Sequence, residues 1–232
     1  MWKNFIRVTL RSIGKNKAFN AINIAGLAIG LASAIFIILY IISETSYDRF
    51  NTRSADIYRL YMEGKMAGEE FKGAWNAPIY GPTFYEEIPE IENFCRFDFR
   101  NNQLTWVNPD NKFLENRIML ADSSFFEIFS IKLLEGDPST CLDEPMSILL
   151  SESKAAQYFP EGDPIGKSIA MDNESNLFTV TGVVEDAPRT SHFVYDFIIS
   201  YHSDERGKST FWFSNWMFTY FLVTPFTEKA VL

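Results

Sequence analysis

The sequence has little cysteine and little histidine, two of each in 232 residues. So few thiols exclude a disulfide-built scaffold, and Cys95 and Cys141 are badly spaced for a zinc site. Whether they pair in an oxidising compartment depends on a Cα separation that sequence does not give. No internal repeat and no low-complexity tract is present. Surplus positive charge is also missing, with 21 bases against 30 acids and a formal net charge of −9. A phosphate-binding surface needs a basic face, so nucleic acid is excluded as a partner. Only one long apolar run occurs, which argues against a chain with several membrane spans.

That run is the dominant signal. Residues 21–42 read AINIAGLAIGLASAIFIILYII, with no charge anywhere. As a helix it is about 33 Å long, enough for a hydrocarbon core of about 30 Å. A soluble core helix does not stay apolar on every face for six turns. A cleaved signal peptide competes, because Ala32-Ser33-Ala34 imitates a peptidase site behind a basic flank. Cleavage there leaves IFIILYII as a greasy terminus, so an uncleaved anchor is the better reading. All five charges up to residue 43 are basic: Lys3, Arg7, Arg11, Lys15 and Lys17. Basic flanks stay cytoplasmic, which places residues 1–18 inside and the acidic remainder outside. Trp2, Phe5, Ile6, Thr9, Leu10 and Ile13 share one helical face and the bases another. The segment therefore reads as an interfacial amphipathic helix against membrane lipid, with a plain topogenic leader as the alternative.

Beyond the anchor the chain reads as one mixed α and β domain, residues 44–232. Residues 46–54 are polar and suited to extending the helix. Strands are predicted over 57–64 and 91–99, flanking a helix over 78–87, followed by short strands over 104–107 and 115–120. A helical turn is predicted over 123–129 and an apolar strand over 146–150. Ser151 is placed to cap a helix that Pro160 ends. Further strands are predicted over 177–184, 193–201 and 219–224. The chain stops at Leu232 soon after the last of these, an ending that reads as cut.

Catalytic patterns fail one by one. GDPIGKS at 162–168 resembles a phosphate loop, yet Gly162 is one residue too late and Pro164 removes an N–H from the cradle. It reads as a tight turn. His192 and His202 stand ten apart near Asp196 and Asp204, a spacing that matches no recurring metal pattern, so exposed loop histidines are expected. Ser191-His192 beside Asp196 lacks a nucleophile turn. Glu69-Glu70 and Glu86-Glu87 read as solvated charges. No catalytic, cofactor-binding or metal-ligating residue is assigned, and no cofactor is expected. The aromatic content of 16% remains. Phe125, Phe126 and Phe129 read as core, whereas for the cluster Phe211, Trp212, Phe213, Trp216 and Phe218 core packing and a binding surface stand as equal readings.

Several strings in order resemble the N-terminal part of MacB/FtsX-type ABC transporter permeases, with the MacB-like periplasmic core domain. They are RVTLRSIGKNKAFNAINIAGLAIGLA at 7–32, SYDRFN at 46–51, IYRL at 57–60, FFEIF at 125–129 and LLEGDP at 133–138. SILLSESKAAQYFPEGDPIGKSI at 147–169, FTVTGVVEDAP at 178–188 and SHFVYDFIIS at 191–200 complete the series. The resemblance implies an α+β domain of βαβ porter-like units with an inserted subdomain. It also implies a permease without ATPase activity in the bacterial inner membrane, acting with a cytoplasmic ABC ATPase. Further implied partners are a second permease copy, or a paired permease, and a periplasmic protein or peptide. In such systems ATP-driven closure works the outer domain mechanically, for efflux, lipoprotein release or control of cell-wall hydrolases. Asp163, Pro164, Ile165 and Gly166 are then a structural turn, and Gly182 a point of bending or close packing. Family members carry further spans after this domain that the present chain lacks, so the resemblance implies a fragment. A single-span anchored sensor or binding module is the alternative.

Overall fold

The computed structural model describes residue 2 and residues 17–66, 69–110 and 112–225. Most of the amphipathic helix expected over 1–18 lies outside these residues. The chain divides into two units, residues 1–47 and 48–232.

In the first unit the helix α1 (Lys17–Ser46) runs for 30 residues with no buried side chain. It is the one described helix long and apolar enough to cross a membrane. Hydroxyl side chains along it bond back to its own backbone. Ser33 Oγ donates to the Ile29 carbonyl (2.9 Å) and Thr45 Oγ1 to that of Ile41 (2.8 Å). The helix ends at Ser46 instead of extending through 54, because Asp48 takes a left-handed backbone (φ 58°) that no helix continues through.

The second unit is built on a sheet of twelve strands. In chain order the elements are β1 (Ile57–Arg59), β2 (Met62–Met66), β3 (Glu69–Gly73), β4 (Trp75–Asn76), α2 (Tyr80–Glu87), β5 (Ile91–Arg100), β6 (Gln103–Trp106), β7 (Lys112–Glu115) and β8 (Ile118–Ala121). Next come α3 (Phe125–Ile128), β9 (Leu133–Glu135), β10 (Ser147–Ser151), α4 (Glu152–Tyr158), β11 (Ser168–Met171), β12 (Asn173–Val184), β13 (Phe197–Ser200) and β14 (Met217–Val223). Strand order is β1-β14-β5-β8-β13-β10-β12-β11-β6-β7, with β4 on β14 and β9 on β12; β2 and β3 form a separate ribbon. The β10–β12 and β8–β13 pairs are parallel and their neighbours antiparallel, so β10, α4 and β12 make a βαβ crossover.

Alternation explains the two-sided core. Ile148, Leu150, Phe197, Ile199, Ile118 and Leu120 point to one face, where Tyr158 and Phe159 of the α4 segment pack. Leu149, Ile198, Met119 and Ala121 point to the other, under Phe125, Ile128 and Phe129. Strands buried on both faces must be apolar without interruption, as SILLS, FIIS and IMLA are. A third cluster joins Ile91, Phe221 and Val223 to Phe84 and Ile88 of the α2 segment.

Two predicted strands come apart. Residues 57–64 split at Leu60-Tyr61, because β1 pairs with β14 while β2 turns away into the ribbon with β3. Residues 115–120 split between β7 and β8. The stretch 193–196 is irregular, and the strand begins at Phe197. Strands β3, β4, β9 and β11 carry little sequence signal, being short or polar.

Candidate functional site

The metal and triad groupings drawn from sequence do not assemble. Asp196, close to His192 in the chain, sits instead near Arg117 and Lys154 (3.9 Å each). Burial pushes the Asp196 carboxyl upward against the pull of those two cations. His202 is exposed on a short 3-10 turn, and Asp204 is held by Arg100 and by Arg206 (2.7 Å). Among the described residues no group of three or more histidine, cysteine or acidic side chains is arranged to hold a metal ion. Glu69, Glu70, Glu86 and Glu87 are exposed. The 162–168 segment is a turn: Gly166 has φ 76°, Lys167 N–H donates to the Pro164 carbonyl (3.1 Å), and Ile165 N–H to Asp163 Oδ1 (2.8 Å).

His192 joins a chain of groups from three parts of the fold. Its Nδ1 bonds Asp48 Oδ2 at 2.8 Å and its Nε2 bonds Tyr220 Oη at 2.7 Å. Asp48 Oδ1 also accepts from the His192 backbone N–H (3.1 Å), and the Asp48 N–H donates to the Thr190 carbonyl (2.8 Å). The imidazole stacks on the Tyr220 ring (5.6 Å between centroids, 29° between planes). Burial pushes the Tyr220 hydroxyl up to about 12, although the neighbouring Arg59 works against that. Asp48, Asn51, Ser54, Arg59, His192 and Tyr220 line an open cavity of about 340 Å³. A second cavity of about 470 Å³ lies among Arg59, Met62, Phe71, Trp75, Asn215 and Phe218. Nothing in the local sequence around His192 identifies Asp48 or Tyr220 as its partners; their tie is made by the sheet.

The aromatic groups divide. Phe125 and Phe129 are in the core and Phe126 packs on its edge, whereas Phe211, Trp212 and Phe213 are exposed. Trp216 and Phe218 pack against the core from its margin. The exposed set continues past Trp75, 61% exposed, whose ring meets Phe218 edge-on, and past Tyr80, whose ring meets Trp212 edge-on. Cys95 and Cys141 are free, buried thiols in the same core cluster, and burial pushes Cys141 up to about 11.

A helix long and apolar enough to cross a membrane is thus followed by a mixed-sheet domain that presents exposed aromatic rings and two open cavities. The chain belongs to the MacB-like periplasmic core domain family, whose model matches residues 20–227. The macrolide export ATP-binding/permease protein MacB of Marinobacter nauticus is 26% identical over 196 residues, which cover 80% of this chain and 29% of that protein. The chain thus spans less than a third of that relative's length. The fold is shared with a domain assigned to a permease protein of Porphyromonas gingivalis, with a TM-score of 0.68 at 22% identity over 77% of each chain. It is shared also with the periplasmic region of MacB from Actinobacillus actinomycetemcomitans, with a TM-score of 0.55 at 14% identity over 79% of this chain and 80% of that one. Family membership and the apolar helix together describe an inner-membrane protein of the ABC transporter permease family with a periplasmic domain.

Proposed function

We propose that the chain is the anchor and outer domain of a non-catalytic ABC transporter permease, which couples cytoplasmic ATP hydrolysis to export or mechanical work on a periplasmic substrate or partner. The observation that carries this reading is how the first and last strands of the sheet domain are paired. Val223 N–H donates to the Asp56 carbonyl (2.9 Å) and Thr224 N–H to that of Glu90 (2.9 Å), and Ile57 stands opposite Leu222 across the β1–β14 pair. The start of β1 and the end of β14 thus lie side by side at one end of two adjacent strands. A pull on either is carried along β14, which pairs with β1, β4 and β5. The five bases before α1 and at its start favour a cytoplasmic N-terminus. The partners of this reading are a cytoplasmic ABC ATPase and a second permease copy or paired permease.

The test is co-purification of the full-length protein with an ATPase, followed by ATP hydrolysis measured with and without residues 57–232. Loss of regulation on deletion supports coupling, and an ATPase rate indifferent to the deletion overturns it. An anchored binding module is the second reading, favoured by the exposed aromatic surface. It expects no ATPase to co-purify.

A further inference from the structure

Asp48 is the first residue of the sheet-domain unit and stands two residues past the end of α1. Its left-handed backbone (φ 58°) is unfavourable for a residue with a Cβ and persists where surrounding contacts over-determine it. Three bonds to one loop do so here: the Asp48 N–H donates to the Thr190 carbonyl, the His192 N–H to Asp48 Oδ1, and His192 Nδ1 to Asp48 Oδ2. A carboxylate only accepts, so Nδ1 carries a hydrogen and, in the neutral ring, Nε2 accepts from the Tyr220 hydroxyl. Tyr220 in turn lies face to face with Phe97 of β5 at 4.8 Å. The start of the domain thus reaches the middle of its sheet in three side-chain steps, Asp48 to His192, His192 to Tyr220 and Tyr220 to Phe97. Asn51 and Thr52 are tied to Ser130 further along (2.9 Å each), so Asp48 is the first fastening met from the side of the apolar helix. The steps stand in series, and the first two depend on one imidazole.

We infer that Asp48, His192 and Tyr220 form a latch that delivers a pull arriving along the anchor to β14, with His192 the positioning residue that closes it. The inference rests on the coupling reading above and adds to it the place where movement enters the domain. Were Asp48 free, the first strand such a pull would meet is β1, three residues long and at the end of the strand order. The latch passes it instead to β14, which pairs with β1 and β4 and with β5. Asp48 and His192 side chains are each about a third exposed (32% and 31%), so water can replace their bonds without opening the core. A fastening that breaks and re-forms outside the core is a two-state element of the kind that carries a conformational change. A passive clip made of the same atoms would contribute to the stability of the sheet and to nothing else.

The experiment takes the full-length protein co-purified with its ATPase and measures hydrogen exchange at the amides of residues 219–222, with and without a non-hydrolysable ATP analogue. The wild type is expected to show a nucleotide-dependent change there. His192→Asn leaves an amide at the position of Nδ1, facing Asp48, and His192→Gln leaves one at that of Nε2, facing Tyr220. Tyr220→Phe removes the hydroxyl and keeps the ring. Links in series fail together, so the nucleotide-dependent change should be lost in all three variants, although each keeps part of the contact. Without nucleotide, exchange at these amides should match the wild type. A nucleotide-dependent change that survives in any of the three overturns the latch and leaves coupling standing. Faster exchange in the variants already without nucleotide assigns the trio to stability alone and overturns the latch equally. If the wild type shows no nucleotide-dependent change anywhere in residues 48–232, coupling falls and the latch falls with it.

Discussion

Arg96 and Asp122 form the most enclosed ion pair among the described residues, with side chains 12% and 10% exposed. Nε and Nη2 of Arg96 each donate to one carboxylate oxygen at 2.8 Å, Nη1 donates to the Pro78 carbonyl (3.0 Å), and the guanidinium lies over the Tyr201 ring at 3.9 Å. Burial disfavours the charge on Arg96, yet Asp122 outweighs that and holds it above its ordinary value. Asp122→Ala should destabilise the domain by about 3–5 kcal/mol in chemical denaturation, since it strands a buried cation. Asp204 is desolvated, but its bonds to Arg206 and the nearby Arg100 keep its carboxyl below the usual range. A depressed acid contributes stability above its unfolded value near about 3.9 and loses that contribution as pH falls through its folded value. Unfolding midpoints should therefore drop on acidification below about pH 4, and the drop should be shallower in Asp204→Asn. The Arg96–Asp122 and Arg100–Asp204 pairs are not legible in the sequence, because their partners stand 26 and 104 residues apart, whereas Arg206 is only two residues from Asp204.

Elements obey local rules where local rules suffice. Ser151 caps α4, its hydroxyl accepting from the Lys154 N–H at 3.4 Å, and the helix stops before Pro160 as its sequence requires. At that length the cap is weak, so Ser151→Ala should cost about 0.5–1 kcal/mol in thermal unfolding. Gly182 is a stronger constraint. A Cβ there would lie 2.8 Å from the Glu135 carbonyl oxygen and 2.8 Å from Leu149 Cδ2, where β12 is gripped between β9 and β10. The register of β10 on β12 slips at the same place, between Ile148 and Leu149. Gly182→Ala should cost about 1–3 kcal/mol by forcing those strands apart, measured by the shift in denaturation midpoint. The glycine was visible as a point of close packing, but not which strand approaches it.

On the scale of the molecule, β14 is the member on which the others depend. It pairs with β1, β4 and β5, places Phe218 and Tyr220 beneath Arg59, and sets Tyr220 face to face with Phe97 (4.8 Å, 16°). Removing residues 217–232 should abolish cooperative unfolding, read by near-ultraviolet circular dichroism, because it strips a partner strand from β1, β4 and β5 together. The long apolar helix, the uninterrupted strand β10, the capped α4 and the turn at Gly166 were all determined by sequence. Each rests on contacts within one run of residues, where periodicity, capping and φ preference act directly. Strand order, the breaks at Leu60 and between β7 and β8, and the Asp48–His192–Tyr220 chain were decided by tertiary structure alone. His192 and Asp48 stand 144 residues apart, and only the folded sheet brings such groups within hydrogen-bonding distance.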